Sequence, residues 1–364
     1  MKILFYFGHP AQYLFLRKSI KSLLDNGHAV KILIKSKDVL EDLLFQDNLK
    51  YVNILPRERG NSKIAIAFSL LKRNIAILPI MLKFKPNLMI GTDATIAQLG
   101  WLFNINRIAI TEDDYEVIKT LGNLSYPFTQ TILCPTVCSV GQWNHKKIGY
   151  AGYMKLGYLH PNVFKKENKI LDKYNLKKKY AIIRLAKLTA HHDFGVKGID
   201  ESFLDEIITV LEKHSITIFI SAEGNISKKY QKYLFTINSN DMHQILANAE
   251  FLICDSQSMT MEASMLGVPS IRFSSFAGRI SVLEELEHKY ELTFGVNPNN
   301  PQKLIEKLEE LLLNNNLSEI FQGRRKKMLK DKIDVTAFLI WFIENYPVSS
   351  LTMRKKSDYQ YKFK

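Results

Sequence analysis

Phe251-Leu-Ile-Cys-Asp-Ser-Gln-Ser-Met-Thr-Met-Glu-Ala-Ser-Met-Leu-Gly-Val-Pro269 is the stretch on which the reading of this chain turns. Phe251 to Cys254 is a short apolar run of the kind that forms a strand buried on both faces. Asp255-Ser-Gln-Ser258 follows, and three of its four members can cap a helix. A helix of about two turns should come next, stopped by Gly267 in the left-handed conformation, with Pro269 opening another strand. Small hydroxylated side chains therefore stand where the helix begins. Backbone N–H groups at such a terminus lack partners inside the helix, and the positive dipole end favours an anion such as a diphosphate. Glu262, one turn further in, is placed to accept hydrogen bonds from the vicinal hydroxyls of a sugar. An ordinary crossover with a good N-cap accounts for the same residues, so two readings stand here.

The pattern extends in both directions. Lys2–Phe7 reads as a first strand, Gly8-His-Pro-Ala-Gln12 as a loop, Tyr13–Asn26 as an amphipathic helix stopped by Gly27, and His28–Ile34 as a second strand. Strands alternating with helices in this way build a parallel sheet. Tyr51–Leu55, Asn87–Gly91, Arg107–Thr111, Thr131–Cys134 and Lys146–Tyr150 continue the first set, and Tyr153 to Lys169 reads as a connection. Tyr180–Leu185, Thr217–Ser221, Phe251–Cys254 and Ser270–Phe273 form a second set. We expect an α/β protein of two Rossmann-like doubly wound domains facing a cleft. Residues 1–160 make the first, residues 161–347 the second, and 348–364 a basic tail that is disordered in part. Val335–Asn345, apolar on every side around Ala337-Phe-Leu-Ile-Trp-Phe-Ile343, is too short to span a membrane. It should complete the second domain as a buried helix at the domain boundary.

Open α/β sheets bind ligands beyond the carboxyl ends of their strands. His9 follows the first strand, where its pKa suits it to accept a proton, unless it serves to tie down the loop. Asp93 follows the strand Asn87–Gly91, and Glu112, Asp113 and Asp114 follow Arg107–Thr111. Acids clustered at one edge can serve as general bases; Asp93 and Asp114 can equally be helix N-caps. In the second half, Lys187-Leu-Thr-Ala-His-His-Asp-Phe-Gly-Val-Lys-Gly198 is a polar loop in which Lys187 and His192 are candidates for ligand contact. Metal binding there lacks a third ligand beside the adjacent His191 and His192. Ala222-Glu-Gly-Asn225 and Ser274-Ser-Phe-Ala-Gly-Arg279 end two further strands, the latter suited to closing over a site.

The net charge of +14 is uneven: residues 1–160 carry +9, and the last fourteen residues +4. This excess fits an anionic membrane surface or an anionic substrate, and lysines that merely solvate the surface account for it as well. No base-stacking or DNA-binding pattern accompanies it, so nucleic acid is not expected as a partner. Ile64–Lys85 is a long helical stretch kinked by Pro79, with Lys72, Arg73 and Asn74 at a centre too charged to span a membrane. Burial as a crossover helix is the favoured reading; a basic-flanked apolar face turned to lipid is the other. Cys134, Cys138 and Cys254 make neither a disulfide framework nor a zinc site, which suits core thiols in a reducing cytosol. Met1–Gly8 is too short an apolar run for a signal peptide. The absence of G-x-G-x-x-G after the first strand, and of G-x-x-x-x-G-K-[ST] anywhere, argues against NAD and P-loop chemistry.

Six segments carry a resemblance: Gly152-Tyr-Met-Lys-Leu-Gly-Tyr-Leu-His-Pro161, Ala190-His-His-Asp-Phe-Gly195, Ser221-Ala-Glu-Gly224, Asp255-Ser-Gln-Ser-Met-Thr-Met-Glu262, Gly278-Arg-Ile-Ser-Val-Leu-Glu-Glu-Leu-Glu287 and Asp331-Lys-Ile-Asp-Val-Thr-Ala-Phe338. They resemble a family of unknown function described as predicted glycosyltransferases of the two-Rossmann B type. The resemblance covers nearly the whole chain and is strongest from residue 150 onward. More distantly, the chain is similar to non-hydrolysing UDP-N-acetylglucosamine 2-epimerases. Their strand-end acids match Asp93 and Glu112, their phosphate-contacting histidine His192, and their Asp-Ser-Gly-Gly loop Asp255–Ser258.

The resemblance implies a nucleotide-sugar donor, a UDP-sugar, held mainly by the second domain. Ser256, Ser258, Met259 and Thr260 would take the diphosphate and Glu262 the uridine ribose, with Glu223, Gly224 and His243 near the base or sugar. His192 and Arg279 would neutralise the leaving diphosphate without a metal or further cofactor. A hydroxyl acceptor, a lipid-linked glycan intermediate among the candidates, would dock on the basic first domain. His9, Asp93, Glu112 or Asp113 would then take its proton. The expected protein is a cytoplasmic glycosyltransferase of bacterial or archaeal surface-polysaccharide or glycolipid synthesis, peripheral on the inner face of the membrane if its acceptor is lipid-linked. Two departures count against epimerase chemistry: Gly8-His-Pro-Ala11 stands where the epimerases have Gly-Thr-Arg-Pro, and Glu112-Asp-Asp-Tyr-Glu116 replaces their Glu-Ala-Gly-Leu-Arg. An epimerase is the second reading and a non-catalytic nucleotide-sugar-binding protein the third.

Overall fold

Ile3 to Phe7 are all buried, as a run of large apolar side chains must be when its strand is covered on both faces. This strand, β1 (Lys2–Phe7), is central in a sheet with β2 (Ala29–Lys35), β3 (Tyr51–Leu55), β4 (Leu88–Gly91), β5 (Asn106–Ile110), β6 (Thr131–Pro135) and β7 (Lys147–Tyr150). All pairings are parallel, in the order β3-β2-β1-β4-β5-β6-β7. A second parallel sheet holds β8 (Tyr180–Leu185), β9 (Thr217–Ala222), β10 (Phe251–Cys254), β11 (Ser270–Phe273) and β12 (Phe294–Val296), in the order β12-β11-β10-β8-β9. The computed structural model describes residues 1–35, 39–55, 63–176, 179–185, 198–224 and 226–364. Strand order reverses between β1 and β4 in the first sheet and between β8 and β10 in the second. In doubly wound sheets these are the places where ligands bind.

The chain divides into Met1–Tyr158 with Lys332–Lys364, and Leu159–Asp331. This corrects the expected boundaries: residues 332–347 and the tail belong with the first sheet. The Val335–Glu344 helix buries Val335, Phe338, Leu339 and Phe342, and a Cβ on Gly152 would meet Val335 Cγ2 at 2.4 Å, so only glycine admits the returning chain. The tail is also ordered. Val348–Lys355 is a helix, and in the turn that follows Gln360 Oε1 accepts from the Ala151 N–H at 2.6 Å. Tyr346 and Ser350 place their hydroxyls 3.0 and 3.2 Å from Thr131 Oγ1.

The first unit's core joins Leu4, Leu33 and Met89 to Ile96 and to Ile77 and Met81 of the Lys63–Phe84 helix. Burial of that helix, the favoured expectation, holds for one side only; Phe68 and Ile75 point outward and are exposed.

The Pro10–Asp25 helix is tied to the end of the Leu40–Gln46 helix by Asp47. Its carboxylate accepts from Arg17 Nη2 at 2.6 Å, from Lys21 Nζ at 2.7 Å and from the Tyr13 hydroxyl. Burial alone would raise the Asp47 pKa, but the bonds from Arg17, Lys21 and Tyr13 outweigh it and bring the group down to about 2. A carboxyl depressed in the folded state contributes stability above its unfolded pKa and loses it as pH falls through the folded value. Asp47→Asn should therefore cost about 2 kcal/mol at pH 7. In urea unfolding, variant and wild type should converge between about pH 4 and pH 2.

Candidate functional site

In the second unit the strand β10 delivers Asp255 and Ser256 to the sheet's switch point, and the Gln257–Leu266 helix starts there. Ser256 is its N-cap, with Oγ accepting from the Met259 N–H at 3.4 Å. Gly267 ends it at φ +69, where a side chain would also collide with Gln322. Ser256 and Ser258 sit half-buried at the edge, whereas Met259 is buried. Thr260 requires a correction: it is fully buried, and both its hydroxyl (2.8 Å) and its N–H (3.3 Å) donate to the Ser256 carbonyl. It shapes the turn and offers nothing to a diphosphate. Glu262, nearly buried, has Oε1 3.3 Å from His243 Nε2. Two residues 19 positions apart in sequence thus meet as one acid–imidazole pair.

Beside this edge, Arg184 near the end of β8 lies in register with Cys254 on one side and Ser221 on the other. Its Nη1 donates to Ser221 Oγ at 2.6 Å and its Nη2 to a carboxylate oxygen of Glu223. Glu223 is thereby an anchor for a cation at the switch point. A Cβ on Gly224 would meet nothing within 4 Å, so the turn there is open. Arg279 is exposed and lies over the Phe276 ring, 5.2 Å from its centroid. His192 and Lys187 lie outside the described residues.

Arg184 and Arg272 were missed in the sequence. The signal was a charge inside an apolar strand run, Tyr180-Ala-Ile-Ile-Arg-Leu185 and Ser270-Ile-Arg-Phe273. Arg272 is fully buried, and none of its guanidinium nitrogens has a hydrogen-bond partner among the described residues. Burial lowers its pKa, and nearby Glu287 opposes the shift. Glu284, Glu287 and His288 bring three ligand-type atoms within 4.8 Å of one another, the one such cluster among the described residues. Its carboxylates already accept from the Gly278 and Gly295 N–H groups, each at 2.9 Å.

At the first sheet's edge, His9 is the N-cap of the Pro10–Asp25 helix, with Pro10 in the first turn. The helix thus begins three residues before the expected Tyr13. The Ala11 N–H donates to His9 Nδ1 at 3.1 Å, so the neutral ring carries its proton on Nε2. In that tautomer Nε2 is a hydrogen-bond donor and cannot accept a proton, which counts against His9 as the base. Gln12 fastens this turn to β4, accepting from Gly8 N–H at 2.9 Å and donating to Thr92 Oγ1 at 2.7 Å. Asp93 caps the Ala94–Leu102 helix through Thr95 N–H (2.9 Å), and its other oxygen lies 3.3 Å from buried Arg73. Both oxygens are engaged, so the N-cap reading holds for Asp93. Asp114 instead accepts from the Ser139 N–H at 2.7 Å.

Glu112 is buried at the end of β5. It accepts from the Met154 N–H at 2.5 Å and faces Lys155 Nζ at 3.4 Å. Burial raises its pKa; Lys155 and the Met154 N–H act against that rise. Asp113, next in sequence, is exposed. The Gly152-Tyr-Met-Lys155 segment thus has a local purpose, holding the Glu112 carboxylate, that sequence alone did not reveal.

No family model matches this chain, and no curated protein matches it in sequence. Solved structures do match. The UDP-GlcNAc 2-epimerase of Methanocaldococcus jannaschii is 16% identical, with TM-score 0.64 over 86% of this chain and 94% of that one. The UDP-GlcNAc 2-epimerase of Neisseria meningitidis, solved bound to UDP-GlcNAc, is 13% identical, with TM-score 0.62 over 91% and 99%. The spinosyn rhamnosyltransferase SpnG, complexed with spinosyn aglycone, is 12% identical, with TM-score 0.61 over 95% and 100%. At such identities the likeness establishes the fold: two Rossmann-like units of the B type shared by these epimerases and glycosyltransferases.

Proposed function

We propose that this protein is a glycosyltransferase that takes a sugar from a nucleotide-sugar, a UDP-sugar, and passes it to a hydroxyl acceptor. The observation that carries the donor half is the β10 edge: a capped helix N-terminus at a switch point, with Glu262 and His243 paired one turn in. Backbone N–H groups of the first turn would hold the diphosphate, with Arg184 and exposed Arg279 compensating its charge. Glu262 would accept from the ribose hydroxyls, and His243 would orient it. On the first unit, Asp113 is the exposed carboxylate of the expected set and would take the acceptor's proton. Lys155 would keep Glu112 ionised beside it, and His9 would donate through Nε2. Structures sharing the fold include one bound to a UDP-sugar and one bound to an aglycone, which supports both halves of the reading.

The competing reading, 2-epimerisation, breaks the C2–H bond of the sugar and must exchange that hydrogen with solvent. Incubation with UDP-GlcNAc in D2O, followed by NMR, separates the two. We expect no deuterium at C2, and UDP release that depends on added acceptor. Deuterium at C2 would replace the transferase by an epimerase.

A further inference from the structure

We propose that the first unit docks on an anionic lipid bilayer through the outer face of the Lys63–Phe84 helix. At 100° per residue, Phe68, Leu71, Ile75 and Leu82 share one arc of that helix, and they are 51–62% exposed. The opposite arc carries Ile77 and Met81 into the core. A helix lying on a water-soluble surface shows polar residues on its outer arc; this one shows isoleucine, leucine and phenylalanine. The neighbouring Ala94–Leu102 helix, held alongside by Asn74 Nδ2 donating to Gln98 Oε1 at 3.1 Å, ends in Trp101 and Leu102, 57% and 65% exposed. Single exposed apolar side chains need no explanation, but four on one arc make a patch.

Charge selects the occupant. Lys72 and Lys83 are exposed along one flank of the arc, Lys85 follows the helix, and residues 63–92 contain no acid. Met1–Tyr158 with Lys332–Lys364 carries 26 Lys+Arg against 14 Asp+Glu, a net +12, which leaves +2 for Leu159–Asp331. A second copy seated on the same patch by a two-fold axis would set these cations against each other. Anionic headgroups would pair with them, while the apolar side chains reach the acyl boundary. No helix among the described residues is long and apolar enough to cross a membrane, so the contact lies in the bilayer's surface. The inference stands apart from the chemistry proposed at the strand ends.

The test is flotation of the full chain with vesicles of phosphatidylcholine alone, or of phosphatidylcholine with about one-third phosphatidylglycerol, a fraction ample to charge the surface. We expect binding to the anionic vesicles only, weakening as salt is raised. Lys72→Gln with Lys83→Gln should lower the partition roughly thirtyfold. Ile75→Glu should lower it at least about tenfold, with an unchanged melting temperature because the side chain faces solvent. Equal binding to both vesicles, or binding to neither, overturns the proposal. So does a dimer in solution that Ile75→Glu converts to a monomer without any vesicle binding, since that would assign the patch to a second copy.

Discussion

Glu262→Ala is expected to weaken binding of UDP and UDP-sugars by about 1.5–3 kcal/mol, roughly 10- to 150-fold in Kd, the worth of a hydrogen bond to a charged group. Glu262 lies in the first turns of the Gln257–Leu266 helix with one oxygen facing His243 at 3.3 Å. That geometry holds one carboxylate oxygen against His243, and an ionised carboxylate can accept at about four lone-pair positions. Glu262→Gln keeps the shape and one acceptor oxygen and should fall between alanine and wild type. His243→Ala removes only the orienting partner, so its effect should be smaller than that of Glu262→Ala. Calorimetric titration with UDP checks the order. Affinity unchanged in Glu262→Ala would remove the ribose role and leave the His243–Glu262 pair as packing.

Lys155→Met carries the second large effect, on stability. Lys155 and Glu112 are both almost wholly buried. Removing one partner of a buried pair leaves the other uncompensated and costs about 3–5 kcal/mol. The raised Glu112 pKa gives this loss a pH signature. A carboxyl raised in the folded state is harmless below its unfolded pKa and destabilises progressively as pH climbs through the folded value. Without Lys155 the group rises further, so the variant should lose stability over a wider span above about pH 4 and approach wild type below it. The double variant Lys155→Met with Glu112→Gln should recover most of the loss in urea unfolding at pH 7. A single variant as stable as wild type at pH 7 would mean that the pair contributes nothing.

How far the sequence could be read depended on the range of each interaction. Strands such as Ile3–Phe7 and Phe251–Cys254 are continuous apolar runs, and burial on both faces of a parallel sheet leaves little else for them to be. The helix cap and the Gly267 stop are local devices: the cap falls within Asp255–Ser258 as expected, at Ser256, and Gly267 ends the helix as expected. Thr260 was misread although the reason is also local: a helical threonine can bond back to the carbonyl four residues earlier, as here to Ser256. The return of residues 332–364 to the first sheet was not legible, because it rests on Val335 fitting against Gly152 and Gln360 reaching Ala151. The pairings of Glu262 with His243 and Glu112 with Lys155 are likewise created by the fold. For the Lys63–Phe84 helix, composition could not say which side faced inward, since apolar residues line both arcs.

Direct titration of the wild-type chain with UDP, UDP-sugars, GDP, CMP and NAD tests the central claim, that the edge built by Ser256, Arg184 and Glu262 holds a uridine nucleotide-sugar. A saturable response to UDP and at least one UDP-sugar, absent with NAD and weakened roughly 10- to 150-fold by Glu262→Ala, is the predicted result. No response to any uridine nucleotide, or tighter binding of NAD than of UDP, would contradict it.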